Sequence, residues 1–322
     1  MEYIGLIVGL FVLIKGADFL VEGSSSIAKK LGIPTIIIGL TVVAFGTSLP
    51  EFLVNIISAY KGSTQMAFGN IVGSNLANTL LILGIVALIH PPRIKRSTVW
   101  KEIPFALLGA VALLIFCNDK IIDEGSFSVL SRIDGIALIL FMIIFLYYLI
   151  EYTLKNKTEV EINDDEEGTR TLTTKKTIFF IVGGLAALYF GGQWSVDSAV
   201  SIARSLGMSE FLISATIIAI GTSLPELVTS IKAAMKKEAD MAIGNIVGSN
   251  IFNIFFVLGI TALIVPVTVP ESLNFDLIYL IIASFALFLF MFIGRKHKFE
   301  KWQGIIFLMG YVGYIIFIAV RG

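Results

Sequence analysis

The chain has 322 residues, 56% of them hydrophobic and 15% charged, with 24 basic side chains balancing 24 acidic ones. A mean hydropathy of +0.89 excludes an ordinary water-soluble domain and a strongly basic nucleic-acid binder; the solvent for most of this chain is lipid. The single cysteine, Cys117, excludes an internal disulfide framework and any thiolate metal site built by this chain alone.

The opening MEYIGLIVGLFVLIKGADFL carries Glu2 and no basic residue ahead of its apolar run, so 3–21 reads as a retained first span rather than a cleaved signal peptide. Lys15 is the one basic residue embedded in a span, and Asp18, one turn away, is its expected partner; with Glu22 they form an interfacial group. The next apolar run, 34–60, would be about 40 Å long as one helix, beyond a hydrocarbon core of roughly 30 Å. It holds Gly46 and Pro50 near its middle, so a broken helix is expected. Spans follow at 66–90, 102–118 and 133–152. The stretch 155–176 is polar, and its acidic cluster, Asp164 to Glu167, lacks the alternating ligands and turn glycine of an EF-hand loop, so it reads as a solvated linker. Five more spans are expected at 177–194, 209–235, 241–265, 275–294 and 302–320, while His90 and His297 flank spans beside basic residues as interfacial groups.

A repeat organises these spans. GLTVVAFGTSLPEFLVNI (39–56) aligns without gaps on SATIIAIGTSLPELVTSI (214–231), and AFGNIVGSNLANTLLILG (67–84) on AIGNIVGSNIFNIFFVLG (242–259), always 175 positions apart, with 20 of 36 positions identical. The repeating unit is a half-molecule of five spans. Five is odd, so the second half enters the membrane from the opposite face. The expected fold is an all-α membrane protein of ten transmembrane helices, in two inverted five-helix repeats (1–154 and 177–322) with broken helices at the core.

Charge asymmetry orients it. With the N-terminus outside, one side holds Lys29, Lys30, Arg93, Lys95, Arg96, Lys101, the basic residues of the linker, Lys232, Lys236, Lys237 and Arg295 to Lys301, whereas the other holds only Lys61, Lys120, Arg132, Arg204 and Arg321. The basic side is the cytoplasmic one, so both termini are expected outside and the linker inside.

Each GTSLPE block places a carboxylate, Glu51 or Glu226, near mid-membrane, where it costs several kcal/mol unless protonated, paired or bound to a cation. No lysine or arginine lies near them in their spans, so a mobile cation or proton is the remaining neutraliser. Proline removes an amide donor and glycine relaxes the backbone, which is expected to free carbonyls around Ala44 and Ala219. Thr47 and Ser48 stand four and three residues before Glu51, and Thr222 and Ser223 before Glu226, which would set their hydroxyls on the glutamate's own face. In GNIVGSN the glycines permit close helix approach, and Ser74 with Asn78, like Ser249 with Asn253, share a face. Asn75, Asn250, Thr41 and Thr216 are expected to hydrogen-bond between helices. Two carboxylates, two amide oxygens, hydroxyls and carbonyls, without sulfur or imidazole, suit calcium or sodium better than magnesium, which wants a strict octahedron.

The paired GTSLPE and GNIVGSN blocks resemble the alpha repeats of the cation/calcium antiporter superfamily, in particular the prokaryotic sodium/calcium exchangers, over nearly the whole chain in span count and order. The resemblance implies that spans two, three, seven and eight form a core around four cation sites while spans one and six slide past it. It implies Glu51 and Glu226 as central ligands, ringed by Thr47, Ser48, Ser74 and Asn78 and by Thr222, Ser223, Ser249 and Asn253. Calcium and sodium would bind as transported substrates, with no cofactor. Potassium-dependent members carry aspartate where this chain has Asn253, which argues against potassium coupling; the chain also departs there, in the charge of one site, from those prokaryotic sodium/calcium exchangers that have aspartate. The expected function is a secondary active antiporter exchanging calcium for sodium by alternating access. Proton/calcium exchange is the alternative, since two protons also neutralise two carboxylates. A calcium channel would need a continuous pore, and an intramembrane hydrolase a nucleophile motif that is absent.

Overall fold

A computed structural model describes residues 2–122, 128–156, 172–208, 219–269 and 273–321, and these are helical almost throughout. Lipid offers the backbone no hydrogen-bond partners, so each span must satisfy its own amides. The first half contains α1 (Glu2–Leu31), a bent pair of α2 (Thr35–Thr47) and α3 (Leu49–Tyr60), α4 (Met66–Ile89), α5 (Arg96–Phe116) and α6 (Arg132–Asn156). The second contains α7 (Thr174–Ser205), α8 (Leu224–Met235), α9 (Ala239–Ile264), α10 (Leu273–Phe290) and α11 (Lys301–Arg321).

Among the described residues, eight helices are individually long and apolar enough to cross a membrane, and the α2–α3 pair, bent by 42°, makes a ninth span. The seventh expected span, 209–235, is described from Ala219 onward, as a turn, Ala219–Gly221, followed by α8. Its first part, including Thr216, lies outside the described residues, as do 157–171 of the linker with the acidic cluster.

The repeat in the letters is a repeat in space. α3 and α8 each have 12 residues and begin and end at matching positions of the two halves. α1 and α7, equivalent by the same offset, run antiparallel: Gly9 lies against Gly191 and Ser195, Gly16 against Gly184 and Leu188, and Gly23 against Phe180 and Ile181. Rising numbers on one helix meet falling numbers on the other, so equivalent helices point in opposite directions and the halves are inverted. This contact requires glycine, because a Cβ on Gly16 would sit 2.8 Å from the amide nitrogen of Leu188. Lipid gives apolar helices no hydrophobic reason to associate, so close backbone approach supplies the attraction.

Burial then grades the helices. In α4 and α9, the carriers of GNIVGSN, 78% and 83% of the apolar window is buried, against 28% to 39% in the other six single spans. These two helices are the centre of the molecule, with α3 and α8 packed beside them. The outer helices turn exposed apolar side chains such as Ile143, Ile144, Val312 and Ile316 outward, toward lipid. Beyond the helix ends, β1 (Val129–Leu130) pairs antiparallel with β2 (Val267–Thr268), tying the two halves together.

Asp18 departs from the expected pairing. Its carboxylate bonds Lys232 Nζ at 3.1 Å and lies 3.6 Å from Lys236 Nζ, both on the other half, while Lys15 lies over the ring of Phe11. Sequence spacing favours Lys15, but α1 packs directly against α8 and brings lysines to a half-buried Asp18 that Lys15 would meet only at the helix surface.

Candidate functional site

Two helix breaks build the site. α2 ends at Thr47, Ser48 leaves helical geometry at φ −84°, ψ 5°, and α3 restarts at Leu49 with Pro50 in its first turn, where a missing amide hydrogen matters least. Ser223 repeats this at φ −86°, ψ 5°, ahead of Pro225. Glu51 and Glu226 therefore each occupy the first turn of a helix, the end that favours negative charge. Ser-x-x-Glu at such a start has the spacing of a capping box. Neither serine makes a side-chain cap bond, however, and the Ser48 hydroxyl is turned elsewhere.

It reaches across the molecule. Ser48 Oγ donates to Glu226 Oε1 at 3.1 Å, and Thr47 Oγ1 donates to Asn245 Oδ1 at 3.1 Å. The expectation that Thr47 and Ser48 serve Glu51 on their own helix is thus corrected: the break rotates them off that face and toward the other half. Thr222 likewise donates to Asn70 Oδ1 at 3.1 Å and lies 3.4 Å from Ser74 Oγ. The helix-borne serines behave as expected, Ser74 donating to Glu51 Oε1 at 3.3 Å and Ser249 to Glu226 Oε1 at 3.5 Å.

The carbonyl expectation is corrected at Ala44. Ala44 O accepts the Ser48 amide at 3.0 Å, with the Thr47 hydroxyl 3.3 Å away, so the proline does not strip it of its donor. In the second half the Ser223 amide goes to Ile220 O at 3.1 Å, a tighter turn that passes over the Ala219 carbonyl. The two breaks are consequently not identical: Ser48 is bonded to Glu226, whereas the Ser223 hydroxyl, equally buried, has no partner.

Four asparagines join the halves at the centre. Asn78 Nδ2 donates to Asn250 Oδ1 at 3.1 Å and Asn253 Nδ2 to Asn75 Oδ1 at 3.0 Å, while Asn75 and Asn250, equivalents of one another, meet through Asn75 Nδ2 and the Asn250 carbonyl at 3.2 Å. Asn75 and Asn250 thus bond between helices as expected; Thr41 instead donates to Ile37 O of its own helix at 2.6 Å. Asn78 and Asn253 sit in π-helical turns, Ala77–Ile82 and Phe252–Leu258, a wound-out geometry frequent at functional sites. Because their amide nitrogens are spent on Asn250 and Asn75, their oxygens are left without donors.

Five oxygens of the predicted ligand residues are buried without a hydrogen-bond partner: Glu51 Oε2, Glu226 Oε2, Asn78 Oδ1, Asn253 Oδ1 and Ser223 Oγ. Each parent residue is at most 2% exposed. A buried acceptor left unmade costs about 1–3 kcal/mol, and more when charged, and among the described residues no lysine, arginine or histidine pairs with either glutamate. Acceptors carrying two negative charges are complementary to a dehydrated cation. Reading the letters missed Asn70 and Asn245, the first asparagine of each GNIVGSN. Asn70 Nδ2 holds the Glu51 carbonyl and Asn245 Nδ2 the Glu226 carbonyl, each at 3.4 Å, while their oxygens take the opposite half's threonine. Their identity in both halves was the available signal.

A sequence model of the family described as "Sodium/calcium exchanger protein" matches residues 1–151 and 176–320. The chain is 37% identical over 315 residues to the putative antiporter CaxA of Alkalimonas amylolytica, covering 96% of each chain. It is 32% identical over 346 residues to the sodium/calcium exchanger MaX1 of Methanosarcina acetivorans, covering 98% of each. Its fold is similar to that of the sodium-calcium exchanger NCX_Mj, with a TM-score of 0.80 at 32% identity, over 98% of each chain.

Proposed function

The chain belongs to the sodium/calcium exchanger protein family, and from that premise we propose that Glu51 and Glu226 are the shared ligands through which it performs its exchange. It is a multi-pass membrane antiporter that exchanges sodium for calcium, with the two ions as its substrates.

What supports the ligand assignment most is the set of donor-less oxygens around two carboxylates that no basic side chain neutralises. Glu51, Glu226, Asn78, Asn253 and Ser223 supply those oxygens. Ser48, Ser74 and Ser249 orient the carboxylates, Thr47 and Thr222 brace the breaks against Asn245 and Asn70, and the Ala44 and Ala219 carbonyls border the site. Calcium, or sodium ions in its place, would exchange water for these oxygens and cancel the doubled negative charge. A core emptied of cations would keep two buried carboxylates uncompensated, an arrangement several kcal/mol uphill to carry across the membrane interior. That penalty makes exchange obligatory. The differing geometry of the Ser48 and Ser223 breaks supports alternating access, because an inverted repeat opens to one side when its halves adopt different conformations.

The halves 1–154 and 177–322 act as the two repeats, with 155–176 as a cytoplasmic linker and both termini outside, on the strength of the lysine and arginine asymmetry. The test is calcium uptake into protein-loaded vesicles at fixed pH. Uptake is expected only with an outward sodium gradient; equal uptake without one, or uptake driven by a proton gradient alone, overturns it.

A further inference from the structure

A cavity of about 570 Å³ lies outside the ion site, lined by Arg93, Lys237, Lys298, His90, Glu238 and Asp240 among others. Arg93 joins α4 to α5, Lys237 joins α8 to α9 and Lys298 joins α10 to α11, so the cavity opens where spans end, at the bilayer surface.

Two features hold positive charge there against local preference. Arg93 and Lys298 face each other in an isolated antiparallel bridge, fixed by the Ile94 amide on His297 O at 2.8 Å and the Phe299 amide on Pro92 O at 3.0 Å. Like charges directly opposite one another repel. Lys237 adopts left-handed backbone geometry, φ +62°, at the close of α8, where its amide bonds Ala234 O and the Glu238 amide bonds Ala233 O. The first half closes α3 with the same pair of bonds, Gly62 to Ala59 and Ser63 to Ser58, and places glycine at the left-handed position, φ +71°. Glycine is the residue such a cap prefers. The inverted repeat is therefore an internal control: one half uses the relaxed residue, the other accepts strain, and what it gains is a cation in this cavity.

Of the carboxylates present, Asp240 is paired with Lys95 at 2.8 Å, while Glu238 accepts the Ser25 hydroxyl at 2.6 Å and keeps its charge, so three cations outnumber one uncompensated anion. Among the described residues none of Arg93, Lys237 and Lys298 makes an ion pair. Exposed Ile89, Met235 and Phe292 stand just membrane-side of these loops, so a ligand with an anionic head and an apolar tail meets both surfaces. We propose that this cavity binds phosphate groups, and that it is filled from the bilayer by the headgroup of an anionic phospholipid.

The test uses the full chain, delipidated in detergent and titrated with phosphatidylglycerol or phosphatidylcholine, with bound lipid counted by native mass spectrometry. Phosphatidylglycerol is expected to be retained preferentially, and the pair Arg93→Gln and Lys298→Gln to weaken that retention by roughly fivefold per charge removed while leaving phosphatidylcholine unchanged. Lys237→Gly is expected to weaken it about fivefold yet raise the melting temperature in lipid-free detergent, because the cap relaxes. Equal retention of the two lipids, unchanged retention in the double variant, or a lower melting temperature for Lys237→Gly overturns the proposal. Inorganic phosphate stabilising the wild type as well as phosphatidylglycerol does would overturn the lipid as its source.

Discussion

The hydroxyl of Ser48 and the carboxylate of Glu226 are 178 positions apart in the chain and 3.1 Å apart in space. Through this bond the break in one repeat touches the buried carboxylate of the other, so the proposed site is one that the two halves share. Removing the charge tests that directly. Glu51→Gln and Glu226→Gln keep side-chain shape and should each leave a folded protein, with sodium-driven calcium uptake reduced by at least about tenfold, the factor carried by ~1.4 kcal/mol of lost binding. Wild-type uptake by either variant removes that glutamate from the site.

Thr47 and Asn245 form the neighbouring cross-repeat bond at 3.1 Å, fully buried. Thr47→Val and Asn245→Ala should each destabilise by about 1–3 kcal/mol by stranding a buried partner. Their double variant should cost less than the sum, with a coupling of about 0.5–3 kcal/mol. Chemical unfolding in detergent measures it, and strict additivity would mean the bond does not link the halves.

Asn253 donates its amide to Asn75 Oδ1 at 3.0 Å, and its oxygen is buried without a partner, as the proposed ligand role requires. Asn253→Asp brings a third carboxylate beside the other two and sets an oxygen against the Asn75 oxygen. A proton on the new carboxyl would restore the lost donor and relieve the repulsion between like charges. Calcium uptake by the variant should therefore change with pH, or with added potassium as the compensating cation. The wild type should need no potassium. Flux across pH and potassium concentration decides it, identical profiles in the two proteins being the adverse result.

Gly191 and Gly192 are neighbours with opposite tolerance. A Cβ on Gly191 would lie 2.5 Å from the Leu13 amide nitrogen and 2.9 Å from Gly9 O, whereas one on Gly192 meets nothing nearer than 3.7 Å. Backbone cannot step aside as a side chain can. Gly191→Ala should cost about 1–3 kcal/mol or more by forcing α1 from α7, while Gly192→Ala should be neutral or stabilise by roughly 0.5–1 kcal/mol. Melting temperatures of the two variants check the contrast.

Lys61 and Lys236 follow the last residues of α3 and α8, equivalent positions in inverted repeats, and both are exposed. In a Cys117→Ser background, Lys61→Cys should react with an impermeant thiol reagent only from outside the cell and Lys236→Cys only from the cytoplasm. Labelling of both from one side would contradict the inversion, and the reverse pattern would invert the orientation.

Membrane class, the two repeats, their inversion and the pair of buried glutamates were legible in the letters. Hydropathy runs, a constant offset and an odd span count are properties of a one-dimensional string, and a carboxylate in an apolar run is conspicuous wherever the chain goes. The partners of those residues were not legible. Spacing reports only which side chains share a helix face, three or four residues apart, and so it assigned Thr47 and Ser48 to Glu51 and Asp18 to Lys15. The break at Ser48 and the packing of α1 against α8 override that local geometry, sending Ser48 to Glu226, Thr47 to Asn245 and Asp18 to Lys232. The same holds for the amides: that the nitrogens of Asn78 and Asn253 are bonded while their oxygens stay unpartnered depends on Asn250 and Asn75 accepting their hydrogens. Only the packing of one half against the other decides which hydrogen-bond groups remain unspent, and the unspent ones are what a cation can use.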